Sequence, residues 1–260
     1  MKISIITVTF NRAHLIRGAI EGVLRQSYKD YEYIIVDGAS KDNTVEILKE
    51  YEPKFEGRMR WISEPDKGIY DAINKGIKMA TGDVVGIINS DDYFHRDDTF
   101  DVIAKAFEDP EVEGIYGDSR IKFENGRIKT TYSAYFKTWM YRIGLMPGHP
   151  SFYAKRKLFE KYGYYRLDYK IAADFELMLR YMYVNKVNIK YVPEAFMTFT
   201  VGGVSTTISN KFLVNKETVK ACRDNGLFCC QPMVWLKYFF KVKKLVTVFL
   251  LLHKDTINLF

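Results

Sequence analysis

The chain has 260 residues, 47% of them hydrophobic and 27% charged, the proportions of an ordinary globular protein. That excludes a disordered tail, a collagen-like fibre and a bundle of membrane spans, and the length suits one domain with or without an appendage. The formal net charge is +7, yet residues 1–210 hold 30 basic and 29 acidic side chains while residues 211–260 hold 9 and 3. A near-neutral body therefore carries a basic end, which argues against nucleic acid as a partner and suits an acidic surface such as anionic lipid.

In chain order, Ile3–Thr9 is a short, mostly apolar run that suits a buried parallel strand. A helical pattern runs from Ala13 to about Gln26, with Leu15, Ile16, Ala19, Ile20, Val23 and Leu24 at three-four spacing. Tyr31–Asp37 is a second strand, and Ser40–Tyr51 a second helix with Ser40 or Asp42 as its N-cap. Arg58–Ser63 is a weaker strand, Gly68–Ala80 a helix, Val84–Ile88 a fourth strand and Asp97–Glu108 a further helix. This alternation predicts a parallel sheet covered on both faces.

The pattern then becomes irregular. Glu113–Thr131 reads as a strand pair turning at Asn125-Gly126. Ser151–Ala154 is a short strand, Lys155–Lys161 a helix, Ile171–Val184 a helix, and Lys190–Thr200 one or two strands. Ile208–Asn225 has helical character. In Met233–Leu252, Trp235, Phe239, Val242, Val246 and Phe249 fall on one helical face and Lys237, Lys241 and Lys244 on another. Four lysines in that stretch make a spanning helix costly, so it reads either as a helix lying in a membrane interface or as one docked on its own domain. Cys222, Cys229 and Cys230 are odd in number and fit neither a zinc site nor a disulfide framework, which predicts a reducing compartment. The amino terminus reads as a buried strand and not as a signal peptide, so the expected location is cytoplasmic.

In an open parallel sheet, ligands bind beyond the carboxyl ends of the strands. Three predicted strands end in polar groups: Thr9-Phe10-Asn11-Arg12, Asp37-Gly38-Ala39-Ser40 and Asn89-Ser90-Asp91-Asp92. Adjacent carboxylates at a strand end repel unless donors or a cation offset them, and Mg2+ or Mn2+ prefers oxygen ligands. The same Asp-Asp pair can equally cap the next helix. Asp37 can accept from a base N–H or a ribose hydroxyl, or can be a solvated turn residue. Neither a dinucleotide glycine fingerprint nor a P-loop occurs.

Taken together, these stretches resemble the family 2 glycosyltransferases, which have the GT-A fold. The likeness is carried by Ile5–Arg12, Ile34–Thr44, Ser63–Gly76, Ala80–Asp83 and Asn89–Asp92, and covers about residues 1–205. It implies an α/β architecture: a Rossmann-like, mostly parallel sheet flanked by helices, with a C-terminal amphipathic helical extension. Residues 1–110 would form the nucleotide-sugar half, 111–207 the acceptor half of the same domain, and 208–260 the basic tail. By position, the resemblance implies that Thr9, Phe10 and Asn11 line a base pocket, that Asp37 accepts from the base, and that Asp66 sits by the base or ribose. Asn89-Ser90-Asp91 would be the metal element, with Asp91 the ligand and Asn89 and Ser90 on the donor. Asn89 stands where the family pattern has an acidic residue, and the family's arginine-containing stretch after the third strand is replaced by Ile69-Tyr70-Asp71.

Asp174, at the start of a predicted helix, falls where the resembled family has its catalytic base, and a helix N-terminus favours the ionised carboxylate. A plain capping role is the alternative, and Glu176 is the weaker candidate because it points away. His149, in Gly148-His149-Pro150-Ser151, could contact acceptor or diphosphate or be structural. Gly202-Gly203-Val204-Ser205 could close over a diphosphate or be a turn. The expected activity is inverting, metal-assisted transfer from a UDP- or GDP-sugar to a saccharide or lipid-linked saccharide. It would occur at the inner face of the plasma membrane, with the tail in peripheral contact. A sugar-nucleotide-binding module without turnover and a sugar nucleotidyltransferase are the rival readings. The latter is disfavoured because Phe10-Asn11-Arg12-Ala13-His14 lacks glycine.

Overall fold

The computed structural model describes residues 1–123, 125–200 and 208–238. Its centre is an eight-stranded sheet: β1 (Ile3–Thr9), β2 (Tyr31–Asp37), β3 (Met59–Ser63), β4 (Val84–Ile87), β5 (Gly114–Lys122), β6 (Ile128–Thr131), β7 (Phe152–Lys155) and β8 (Ile189–Thr200). The order is β3-β2-β1-β4-β7-β5-β6, with β8 paired to β5. The first four strands are mutually parallel, as is β8 with β5, while β7 runs antiparallel to both β4 and β5. The sheet is thus mostly parallel, with β7 reversed at its middle and β6, antiparallel to β5, reversed at its edge.

Every residue of β1 and β2 is buried, because helices cover both faces and no solvent side remains to demand alternation. Ile6, Val8, Ile34 and Val36 point to one face, where α3 (Ile69–Met79) and α6 (Ala173–Leu179) cover them. Ile3, Ile5, Tyr33 and Ile35 point to the other, under α1 (Ile16–Leu24), α2 (Thr44–Tyr51) and α4 (Thr99–Ala106). Gly76 lets α3 approach closely: a Cβ there would lie 2.5 Å from Ile6 Cγ2. Apart from Thr9 Oγ1 and Tyr31 Oη, the buried side-chain polar atoms of these strands have partners among the described residues. Tyr33 donates to Thr7 Oγ1 at 2.9 Å, and Ser4 donates to Glu32 at 2.6 Å. Burial alone would raise the Glu32 carboxyl, but donors from Ser4, Thr81 and Arg60 outweigh it and hold it at about 2.

Several boundaries differ from the expectations for local reasons. α1 begins at Ile16 rather than Ala13, because the N–H groups of Leu15 and Ile16 both close onto Arg12 O and Asp42 takes the Ala13 N–H. The predicted helix Ile171–Val184 starts at Ala173 and widens after Leu179 into a π-helical turn, closed by Asn185 N–H on Arg180 O at 3.0 Å. Lys190–Thr200 belongs to one long strand with a register shift opposite Tyr116–Ser119. A 3-10 segment, Thr138–Ile143, had no counterpart in the sequence reading.

At the carboxyl end, α7 (Ile208–Asp224) packs on α6, and a short helix, α8, covers residues 231–238. Of the predicted amphipathic stretch, residues 239–252 lie outside the described residues, as does Gly202–Ser205. Where α8 is described, its faces depart from the expected pattern: Val234 and Lys237 are buried, whereas Trp235 and Leu236 are exposed. Lys237 is therefore not on a solvated face, because the helix docks through it beneath Gly144, whose added Cβ would meet Val234 and the Lys237 ammonium. Among the described residues no helix is long and apolar enough to cross a membrane.

Candidate active site

Strand register sets the site. Thr9 pairs with Asp37, and Asp37 with Ser63, so three polar residues form a row at one edge of the sheet. Ile88 N–H bonds Ile6 O, which delivers Asn89–Asp92 to the same edge. Because β7 is reversed, its first residues lie beside the last residues of β4, and this brings His149 to that edge too.

Asp37 is fully buried, and both its oxygens are occupied. Oδ2 accepts from Ser40 N–H at 2.9 Å and Ser63 Oγ at 2.6 Å, and Oδ1 accepts from the Ser40 hydroxyl. It organises the turn that leads from β2 to Ser40. The more exposed carboxylate above it is Asp66: a Cβ on Gly38 would lie 2.6 Å from Asp66 Oδ2 and 3.4 Å from Phe10 Cδ2. Glycine at 38 thus makes room for the Asp66 carboxylate beside the Phe10 ring, which is 57% exposed. Asp66 Oδ1 is held by Gly68 N–H at 2.8 Å. Thr9 Oγ1 is buried without a partner among the described residues, an open valence next to this spot. Asn11, with φ of 52°, spends its side chain on the loop: its Oδ1 accepts from Lys41 N–H at 2.8 Å while its N–H donates to Ser40 Oγ. α2 starts at Thr44 with Asn43 as its N-cap, so neither Ser40 nor Asp42 is the cap, although Asp42 accepts from Thr44 N–H at 3.1 Å.

In the turn after β4, Asn89 Nδ2 donates to Asp92 Oδ2 at 2.8 Å. Asp92 is buried, and burial together with the neighbouring charge of Asp91 pushes its carboxyl up to about 7. The departure at 89 has a physical reason here: an amide can donate to Asp92, whereas a second carboxylate would repel it. Ser90 is buried. Asp91 is half-buried with no hydrogen-bond or ion-pair partner among the described residues, so it is the carboxylate left to meet a cation. No three His, Cys, Asp or Glu side chains among the described residues group closely enough to hold a metal unaided. The donor set of Asp91 fits a hard divalent ion that also binds ligand oxygens.

Asp174 is the second residue of α6. Its Oδ1 accepts from Phe175 N–H at 2.8 Å and, more weakly, from Tyr70 Oη at 3.4 Å, while among the described residues no partner occupies Oδ2. Burial raises its carboxyl above the usual range, opposed by the His149 ring and by these donors. Tyr70 donates its shorter bond, 2.5 Å, to Ile171 O. Its ring stacks on Tyr165 at 5.8 Å, and Tyr165 Oη lies 2.6 Å from His149 Nε2. Burial pushes the His149 imidazole below its ordinary range, and the Asp174 carboxylate pulls it the other way. Asn74, one turn along α3 from Tyr70, pairs its amide with both N–H and C=O of Tyr165. Glu176 is buried in an ion pair with Arg180 at 2.9 Å and bonds Asn225, a structural role. Tyr70, Asn74 and Tyr165 had no assigned role in the sequence reading, although Tyr70 and Asn74 lie inside the motif Ser63–Gly76.

Polar residues from four strand ends thus meet at the carboxyl edge of a mostly parallel sheet, the place where ligands bind in open sheets of this kind. The glycosyl transferase family 2 profile matches residues 4–178. An uncharacterized glycosyltransferase of Mycobacterium tuberculosis is 34% identical over 209 residues, covering 77% of this chain and 76% of its own. The PGL/p-HBAD biosynthesis glycosyltransferase of Mycobacterium bovis is 28% identical over 80% of both chains. Among solved structures, Staphylococcus aureus TarS 1–349 with UDP-GlcNAc has a TM-score of 0.67 at 20% identity, covering 88% of this chain and 68% of that one. This chain spans 41% of the longer S. aureus TarS chain. The mannosyltransferase PcManGT of Pyrobaculum calidifontis, solved with GDP-Man and Mn2+, has a TM-score of 0.67 at 18% identity over 85% of this chain and 63% of that one. The chain belongs to glycosyl transferase family 2, and it is a glycosyltransferase that uses a nucleotide sugar.

Proposed function

We propose that this enzyme moves a hexosyl group from a UDP- or GDP-sugar to a hydroxyl of a lipid-linked saccharide, with inversion, during glycolipid or surface-polysaccharide assembly at the inner face of the membrane. The observation that carries this reading is Asp174. One of its oxygens is anchored and the other is open, on a helix tied through Tyr70 to the donor edge of the sheet. The acceptor hydroxyl gives its proton to Asp174 as its oxygen bonds the anomeric carbon, and the bond from that carbon to the diphosphate oxygen breaks with its electron pair. Asp91 is the residue that would hold Mg2+ or Mn2+, whose charge would offset that of the departing diphosphate. Phe10 offers its exposed ring to the base, Asp66 and Thr9 accept or donate at base and ribose, and Asp37 holds the turn that carries Ser40. Asn11, Asn89 and Ser90 shape the two loops around the donor. On the acceptor side, Tyr132, Tyr135 and Trp139 present exposed aromatic faces suited to a saccharide. A lipid-linked acceptor agrees with the name of a relative in Methanococcus voltae, a glucuronosyltransferase named for a dolichyl N-acetyl-α-D-glucosaminyl phosphate, 29% identical over 86% of this chain and 73% of its own.

A thermal-shift screen of UDP-, GDP- and dTDP-sugars with Mn2+ tests the donor. At saturating concentration the correct donor is expected to raise the melting midpoint by about 5–10 °C, and radiolabelled sugar should then appear on a lipid-linked acceptor. No shift with any of them, and no transfer, would remove the proposal.

The membrane contact rests on Phe212, Trp235 and Leu236, all exposed, with the Phe212 and Trp235 rings 5.4 Å apart and Lys211 and Lys216 exposed beside them. Replacing Phe212 and Trp235 together by Ser is expected to weaken binding to phosphatidylglycerol-containing vesicles at least about 10-fold in co-sedimentation. Equal binding of wild type to purely zwitterionic vesicles would speak against an anionic surface.

A further inference from the structure

The segment before α6 is held from two sides. From α3, Tyr70 donates to Ile171 O at 2.5 Å. From α7, the Glu217 carboxylate takes three consecutive main-chain donors: Lys170 N–H at 2.8 Å on Oε1, and Ile171 and Ala172 N–H at 2.9 Å each on Oε2. Glu217 is 7% exposed, and no cationic side chain pairs with it among the described residues. A buried carboxylate without a counter-cation is costly unless donors surround it, and here the donors are the N–H groups at the mouth of the helix that bears Asp174. Helix N-terminal N–H groups have no partners within the helix, so an outside acceptor fixes where the helix begins. The same helix, α7, grips the approach to this segment as well. Tyr169 Oη donates to Asp224 at 2.8 Å, the Lys220 ammonium sits 3.8 Å from the Tyr169 ring centre, and Arg166 pairs with Asp224 at 2.9 Å.

We propose that Glu217 is a positioning residue for the catalytic base: by binding the N–H groups of residues 170–172 it sets the first turn of α6, so that Asp174 Oδ2 faces the acceptor hydroxyl. This rests on the assignment of Asp174 as the base. The extension beyond the family-2 match is then part of the catalytic apparatus. A shift of about 1 Å in a reacting group can cost about 100-fold in rate with little change in donor binding.

The test is a double-mutant cycle on the full chain. Glu217→Gln keeps one acceptor oxygen but loses the charge and turns an amide NH2 toward a donor. Glu217→Asp keeps the charge and is shorter by one methylene. Each is expected to lower kcat about 10- to 100-fold, with the donor KM within about twofold of wild type. Donor-binding stoichiometry counts the folded fraction, so a loss through unfolding appears there and not in kcat per folded site. In an Asp174→Asn background, where residual turnover is followed with isotopically labelled donor, Glu217→Gln should cause no further loss. A full kcat per folded site in both Glu217 variants overturns the proposal, as does an equal loss with and without Asp174. If Asp174→Asn itself keeps wild-type turnover, the base assignment fails and this proposal with it; if Asp174→Asn collapses turnover and the Glu217 variants do not, only the positioning role falls.

Discussion

Asp174→Asn is expected to lower turnover by about 1,000-fold while leaving donor affinity within about twofold. The substitution is close to isosteric. Asn retains an oxygen for the Phe175 N–H, so the start of α6 keeps its bond of 2.8 Å. What disappears is the second oxygen, the one without a partner among the described residues, and an amide NH2 in its place cannot take a proton from an acceptor hydroxyl. A capping role alone predicts the opposite pattern, namely a modest loss of stability and little loss of rate. Steady-state kinetics with donor binding by calorimetry separates the two; wild-type kcat in the variant would refute the assignment.

The pH dependence carries the same information. Burial raises the Asp174 carboxyl above its ordinary value of about 4, opposed by the neighbouring His149 ring and by hydrogen bonds from Phe175 and Tyr70. The base works ionised, so kcat should fall as pH drops through this raised value, and the acid limb should lie above the range of a solvated aspartate. In Asp174→Asn that limb should vanish from the residual rate.

The parts of the fold legible in the sequence are those in which one strand or helix carries its own signal. Strands such as Ile3–Thr9 and Tyr31–Asp37 are apolar along their whole length because they are covered on both faces, and their polar last residues mark the edge where a ligand can bind. Asp174 stands out in the sequence only through the motif it shares with the resembled family. The reversed β7 was not legible as such: a four-residue strand carries no sign of its direction, and its pairing with β4 depends on residues about 70 positions earlier. The links that tie Asp174 to the donor edge were missed for a related reason. Tyr70 reaches Asp174 across 104 residues, Asn74 reaches Tyr165 across 91, and Glu217 reaches Ala172 across 45. Each lies within an ordinary helical pattern, and nothing in the spacing separates a buried polar anchor from a solvated one. Asp37 is instructive in the other direction. Its position at a strand end was read correctly, but only the depth of the site reveals that Ser40 and Ser63 occupy its oxygens and that Asp66, above Gly38, is the carboxylate nearer the solvent. At the far end, residues 208–260 read as a basic helical tail, lying in a membrane interface or docked on its own domain, and no spacing in it marked Glu217 as an anchor. Its first helix lies on α6 and supplies Glu217.

Asp91→Asn is expected to remove the Mn2+-dependent part of donor stabilisation and to lower turnover by about 100- to 1,000-fold, the scale on which a divalent cation offsets charge on a leaving diphosphate. The argument is one of charge placement in the turn after β4. Asp92 is buried and pushed up to about 7, so near neutral pH it carries only part of a charge, and its Oδ2 is taken by the Asn89 amide at 2.8 Å. Asn89 itself is uncharged. Asp91, half-buried and without a partner among the described residues, is the carboxylate of the turn whose oxygens stay open. An Asn side chain preserves its size and leaves a single neutral oxygen, which is a poor ligand for a hard cation. Wild type should show a larger melting shift with UDP or GDP when Mn2+ is present than when EDTA is, and turnover should follow that difference. Asp91→Asn should melt at the same temperature in both conditions with nucleotide present. A variant that keeps the full Mn2+ response, or a wild type whose turnover is unchanged by EDTA, would show that the charge on this turn serves the fold and not a cation.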